Sequence, residues 1–178
     1  GGGASMADAA PPAPGSMEAY MRECVLESLE LYLYPNAIFL CERLYASQKT
    51  ESNAHLLATC YYRNDQAYMA HSLLRGLKSA QCRYLYARCC LRLNKVSDAE
   101  HALNPSKDSS DVPFGAAGHF LLGQIAKQTS RHQVAVQHFA AALSLDPFMW
   151  CAFEELCQMG AEEEAAALLG GSLHASGG

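Results

Sequence analysis

The sequence predicts an all-α fold, a right-handed superhelical solenoid of about four to five helix pairs, and three observations predict it. The first is the stretch from Ala117 to Pro147, which reads as one complete helix–turn–helix unit. Leu122-Gly123 lies in its first helix, Ala135, Phe139 and Ala142 in its second, and Pro147 closes it. Gly123 and Ala135 let two antiparallel helices approach closely, Phe139 fills the space this leaves, and Pro147 ends the second helix. The second observation is recurrence: small residues marking the second helix of each unit stand at Ala37, Ala70, Ala99 and Ala135, spaced by 33, 29 and 36 residues. The third is punctuation, because Asn64-Asp65 and Asn94 supply turn chemistry between the helices of a pair.

Taken in order, the elements follow the pattern of the tetratricopeptide repeat, which recurs about every 34 residues. The first helix is expected from about Met17 to about Tyr34, with Pro35 in the first turn of its partner. In the second unit Leu57-Ala58 stands where Leu122-Gly123 stands later, Tyr61 follows, and Ala70 and Leu74 occupy the second helix. The third runs from Gln81 to about Leu103, with Tyr86-Ala87 at the small-residue step and Ala99 beyond the turn. Asn104 to Phe114, with two prolines and several charges, is a loop and the longest break in the array. After Pro147 a fifth unit opens on Trp150, Phe153 and Leu156, and the alanine-rich Glu162–Leu169 supplies a short partner helix. Residues 17–169 are therefore the repeat domain. Gly1 to Ser16 is expected to be a disordered leader or cloning scar, and 170–178 a disordered tail. An array of this kind can continue in a longer parent chain, of which this would be a fragment.

Bulk properties narrow the function. A net charge of −5 argues against nucleic acid or an anionic membrane as partner. No apolar run approaches the roughly 18 residues that span a bilayer. The leader has neither a basic nor an apolar segment of the secretory kind. The eight cysteines, Cys24, Cys41, Cys60, Cys82, Cys89, Cys90, Cys151 and Cys157, form no Cys-x-x-Cys pair. Nearly all sit at apolar helical positions, as buried, reduced thiols do in a reducing compartment. His132 and His138, six apart, are off the spacing that puts two ligands on one helical face, so no metal and no cofactor is expected. No catalytic motif is present, and Glu154-Glu155 and Glu162 to Glu164 read as solvated faces. A carboxylate clamp of the chaperone-docking kind is also rejected. Arg22 could begin one, but Leu26, Leu56, Gln81 and Leu85 stand where its polar and basic donors belong.

The candidate site is a protein-binding surface. Glu23, Glu27 and Glu30 make one polar stripe on the first helix. Tyr20, Cys24 and Leu31 lie on one side of it, and Leu26, Leu29 and Leu33 elsewhere. That is more apolar surface than one stacking face requires, which predicts that a partner covers it. Leu26, Leu29, Leu33 and Tyr34 are the expected contacts. Among the tyrosines, Tyr61 and Tyr86 read as packing between helices, while Tyr62 and Tyr68 stay open between groove and surface and join the candidate set.

Several strings are far more specific than repeat positions. Asn36-Ala37-Ile38-Phe39-Leu40-Cys41-Glu42-Arg43-Leu44-Tyr45 and Leu56-Leu57-Ala58-Thr59-Cys60-Tyr61-Tyr62-Arg63 resemble the amino-terminal tetratricopeptide-repeat region of subunit three of the anaphase-promoting complex. Gln66-Ala67-Tyr68, Gln81-Cys82-Arg83-Tyr84-Leu85 and Leu143 to Trp150 extend the likeness over about Met17 to Glu164, and Gly115-Ala116-Ala117-Gly118-His119 looks most like plant or green-algal members. The resemblance implies a non-catalytic scaffold of a multisubunit ubiquitin ligase of the cell cycle, found in nucleus and cytoplasm. It implies a homodimer in which each protomer's first helices lie in the other's groove, with other subunits of the complex as further partners. The activator-tail site would lie in later repeats absent from this chain. The alternative from the residues alone is a monomeric adaptor whose groove takes a peptide or helix of another protein.

Overall fold

The helices are set off from one another by the turns between them. A computed structural model of the chain describes residues 15–106 and 111–175, with the side chains described up to 168. Among these residues there are helices α1 (Met17–Glu30), α2 (Tyr34–Ser47), α3 (Glu51–Arg63), α4 (Ala67–Leu74), α5 (Ala80–Arg92), α6 (Val96–Leu103), α7 (Ala116–Gln128), α8 (His132–Leu145), α9 (Trp150–Gln158) and α10 (Glu162–Ala175), and no strand. Each odd-numbered helix ends two residues before a left-handed residue: the set is Tyr32, Asp65, Asn94, Ser130 and Gly160, with φ between 57° and 75°. At each, the next residue's N–H donates back to a carbonyl five residues earlier, Leu33 to Ser28, Gln66 to Tyr61, Lys95 to Cys90, Arg131 to Ala126 and Ala161 to Leu156, at 2.8–3.0 Å. This is the Schellman closure that satisfies the last orphan carbonyls of a helix. The alanines Ala37, Ala70, Ala99, Ala135 and Ala165, each five residues after a left-handed turn residue, are fully buried.

Four of the five left-handed positions hold Asp, Asn, Ser or Gly, and the fifth holds a tyrosine. A bulky side chain there is an outlier costing about 1–2 kcal/mol. Tyr32→Asn is therefore expected to stabilise the isolated monomer by about 0.5–1 kcal/mol, net of the lost edge contact with Tyr34 at 6.2 Å. Thermal melts of the two proteins check this; an unchanged or lowered midpoint would refute it.

The chain divides into two compact units, Gly1–Lys95 and Val96–Gly178. In the first, α1 packs on α2, α2 on α3, α3 on α4, and α5 on both α3 and α4. Its core runs through Val25, Leu29, Ala37, Cys41, Leu44, Leu57, Cys60, Leu74 and Cys89. Tyr61 is buried there and donates its hydroxyl to Glu42 at 2.8 Å, and the Tyr86 ring stacks on buried His71 at 4.8 Å, both as packing residues should. The loop before α5 is held by the Glu51 carboxylate, which accepts from the backbone N–H groups of Ser79 at 3.0 Å and Lys78 at 3.3 Å.

In the second unit α7 and α8 form the best-packed hairpin, with α6 against α7 and α9 and α10 against α8. Phe139 is fully buried and lies directly on Gly123: a Cβ built at Gly123 would meet three atoms of that ring at 2.5–2.9 Å. Leu156 is buried beside it, Phe153 partly so.

Two boundaries differ from expectation. The first helix stops at Glu30 rather than near Tyr34, because Tyr32 takes a left-handed φ and closes it; Leu33 is then the N-cap of α2 and Tyr34 its first residue. At the other end α10 continues to Ala175, past the expected limit at Leu169, so Gly170 and Gly171 do not end it. Residues 1–14 and 176–178, parts of the expected leader and tail, lie outside the described residues. Among those described, no helix is long and apolar enough to cross a membrane.

Candidate functional site

Helix α1 begins because Ser16 caps it, its hydroxyl accepting from the Ala19 N–H at 3.1 Å. Val25 and Leu29 drive its inner face into the core, at 0% and 5% exposure. Polar bonds fasten the rest. Arg22 donates to Asn53 Oδ1 and, at 3.3 Å, to Ser52 Oγ on α3. Gln48 Nε2 donates to Glu18 at 2.7 Å, and Asn36 to buried Ser28 at 2.9 Å. The Arg22 guanidinium is thus engaged inside the unit.

Between α1 and α3 lies a cleft of about 440 Å³ lined by Leu26, Leu29, His55, Leu56, Thr59 and Arg63, among others. Burial, and then the nearby Arg22 charge, hold the His55 imidazole below its ordinary pKa, so the cleft keeps it neutral at pH 7. On the rim and around the turn after α1, large apolar side chains face water: Met17, Tyr20, Leu26, Leu31, Tyr32 and Leu33, between 45% and 76% exposed. Glu23, Glu27 and Glu30 are exposed beside them. This apolar surface stands on a helix whose other face is already core.

The expected contact residues separate into three kinds. Leu26 and Leu33 stand free on this surface, at 45% and 52%, and Tyr34 is half-buried at the start of α2. Leu29 does not: it is a core residue that reaches the cleft with one edge. The sequence reading missed this because only the pairing of α1 with α2 decides which of its apolar sides turns inward. Tyr62 and Tyr68, on α3 and α4, are elsewhere. The Arg92 guanidinium lies 3.9 Å over the Tyr62 ring, and Arg88 donates to its hydroxyl at 3.4 Å, so Tyr62 serves packing between α3 and α5. Tyr68 is 66% exposed and lines a shallow cleft with Met69 and Arg92. Tyr32 was missed, although a signal existed: it stands five residues before Ala37, as Asp65, Asn94 and Ser130 stand before their marker alanines.

Several titratable groups are buried within the packing. None of the eight cysteines is in a disulfide, and five are buried. Burial pushes the Cys82 thiol up, and the Cys89 thiol up to about 12, which suppresses the reactive thiolate. His138 does not face the surface alone. Its Nδ1 is 3.1 Å from Nδ1 of buried His119, one ring donating and the other accepting, and Arg131 forms a two-point pair with Glu100 at 2.8 and 2.9 Å nearby. Burial, then the His119 ring, depress the His138 pKa below 6.5. A depressed imidazole binds its proton more readily unfolded than folded, so its contribution is complete above pH 6.5 and is lost as the pH falls below that value. The second unit is expected to lose stability between pH 7.5 and 5.5, and His138→Gln to flatten that slope. Denaturant melts at the two pH values measure it; equal slopes in both proteins would rule it out.

Comparison with known proteins gives this surface its context. Residues 30–106 match the family described as anaphase-promoting complex, cyclosome, subunit 3. The chain is 49% identical over 155 residues to cell division cycle protein 27 homolog B of Arabidopsis thaliana, covering 86% of this chain and 21% of that protein. It is 39% identical over 152 residues to the human cell division cycle protein 27 homolog, covering 79% and 18%. The chain thus spans about a fifth of the length of these relatives. Among solved structures, the anaphase-promoting complex hetero-tetramer Cut9–Hcn1 superposes with a TM-score of 0.71 and 27% identity, over 79% of this chain and 29% of that one. With its recurring turns and its matched repeats, the chain belongs to the family of anaphase-promoting complex subunit 3.

Proposed function

We propose that this chain is a non-catalytic scaffold module of the anaphase-promoting complex ubiquitin ligase, acting in the cell cycle, and that it self-associates as a homodimer through α1 and the turn after it. The observation that carries the reading is the apolar surface of Met17, Tyr20, Leu26, Leu31, Tyr32 and Leu33, exposed on a helix whose inner face is already core. The neighbouring cleft is apolar along Leu26, Leu29 and Leu56 and offers a second copy's helix a place to lie. Family membership supports the rest: the other subunits of the complex as partners, a place in the nucleus and cytoplasm, and a whole protein whose further repeats lie outside this chain.

Light scattering coupled to size exclusion tests the dimer, on the chain diluted from about 100 to about 1 micromolar beside a Leu26→Glu/Leu33→Glu variant. The expected result is a dimer that persists on dilution and a variant that is a folded monomer. A monomeric wild type at every concentration would overturn it. The open cleft would then favour the second reading, an adaptor that takes a helix from another protein.

A further inference from the structure

A second apolar surface stands on the other unit, and the repeat fold does not require it. At the junction of α8 and α9, Leu145, Phe148 and Trp150 are 60%, 92% and 63% exposed, three large apolar side chains within six residues. The turn between is rigid. Pro147 fixes one φ, Asp146 Oδ1 accepts from the Phe148 N–H at 3.0 Å, and Met149 and Trp150 donate to the carbonyls of Asp146 and Phe148 at 3.0 and 2.8 Å. The Trp150 ring stacks on Phe153 at 5.1 Å, while Phe153 and Met149 pack on the core below. The backbone that carries these side chains is therefore fixed before a partner arrives, and Trp150 is further held by its stack on Phe153. The corresponding junctions of the first unit expose no such cluster: Gln48-Lys49-Thr50 follows α2, and in Arg75-Gly76-Leu77-Lys78-Ser79 before α5 the one large apolar residue, Leu77, packs on the core.

Charge identifies what fits. From Val96 onward the chain has ten acidic and three basic residues. Two of those three are engaged, Lys127 with Glu155 at 2.5 Å and Arg131 with Glu100 at 2.8 Å. Asp146 lies within the turn, and Glu154 is exposed one helical turn after Trp150, on the same face of α9. The surface is an aromatic anchor point in a negative field, which attracts cations and repels acidic segments.

We infer that the Leu145–Phe148–Trp150 surface is a docking site for a basic segment of a partner protein, one that sets an apolar side chain against Phe148 and Trp150 and lysines or arginines toward Asp146 and Glu154. It lies on a different unit from the dimer surface and stands or falls apart from it.

Trp150 is the single tryptophan of the chain, so its fluorescence reports on this surface alone. The probes are two short synthetic peptides of equal length, one alternating leucine with lysine and one leucine with glutamate, titrated into the 178-residue chain. The lysine peptide is expected to shift Trp150 emission to the blue and protect it from acrylamide, and the glutamate peptide to do neither. Phe148→Ser and Glu154→Lys, each an exposed side chain, should weaken binding about tenfold or more with unchanged circular dichroism. Raising the salt to about 0.5 M should weaken it further in the wild type. Equal response to both peptides, response to neither, or insensitivity to both substitutions would overturn the assignment. So would a blue shift that grows with protein concentration alone, since a second copy would then be the occupant. Phe148→Ser is expected to leave the oligomeric state unchanged.

Discussion

Gly123→Ala should destabilise the second unit by about 1–2 kcal/mol, although alanine is ordinarily the better helix former by about 1 kcal/mol. The reversal comes from contact. The new methyl would sit 2.5–2.9 Å from three atoms of the Phe139 ring, and that ring is fully buried. Tilted against Phe120 at 5.6 Å, it is also packed from a second side. Overpacking of this sort costs about 1–3 kcal/mol, and the helical gain offsets only part of it. A unit of this size should melt about 4–8 °C lower for each kcal/mol lost. The double variant Gly123→Ala/Phe139→Leu separates steric from backbone causes. The smaller side chain clears the methyl, so the pair should be more stable than the sum of the two single changes. Strict additivity would show that the close approach of α7 and α8 has no energetic weight.

The same contact explains what could be read from the chain alone. Gly123, Ala135 and Phe139 form a lock whose three parts have one geometric solution, so the hairpin is legible from residue type and spacing. The marker alanines are legible for the same reason, since a larger side chain has no space where second helices pack. The C-terminus of α1 was not legible by this rule. Its turn residue is a tyrosine, the residue least suited to a left-handed φ among the five, so the helix seemed to run on to Tyr34. Nor did Gly170 and Gly171 end α10, although each weakens a helix by about 1 kcal/mol. At the candidate site, the excess of apolar surface on α1 followed from counting its sides. Which side is core did not, because Leu26 and Leu29 are alike in chemistry and differ only in which one α2 and α3 cover. The pairing of His119 with His138 escaped for a related reason: it joins two helices, and no spacing along either one reports it.

That difference between two leucines yields the second large effect. Leu29→Glu should unfold the first unit or leave it marginal, whereas Leu26→Glu should leave it folded. At 5% exposure among Val25, Ala37, Cys41 and Leu57, Leu29 contributes about 2–5 kcal/mol over alanine. A carboxylate there must stay largely buried or pull α1 off the core toward the cleft that Leu29 shares with Arg22, His55 and Arg63. At Leu26, 45% exposed on the cleft rim, the carboxylate can reach water, and the cost to the monomer should stay within about 1 kcal/mol. Circular dichroism and denaturant melts over a range of protein concentrations separate the stability of the monomer from that of the dimer. Loss of the dimer in Leu29→Glu would by itself say nothing about an interface, because an unfolded α1 cannot dimerise. Loss of the dimer in Leu26→Glu/Leu33→Glu with the helical fold retained would locate the contact, since only a surface role then accounts for it. Equal stability of the Leu26 and Leu29 variants would mean that α1 is not seated on the core through Leu29, and the apolar surface on its outer side would need a different account.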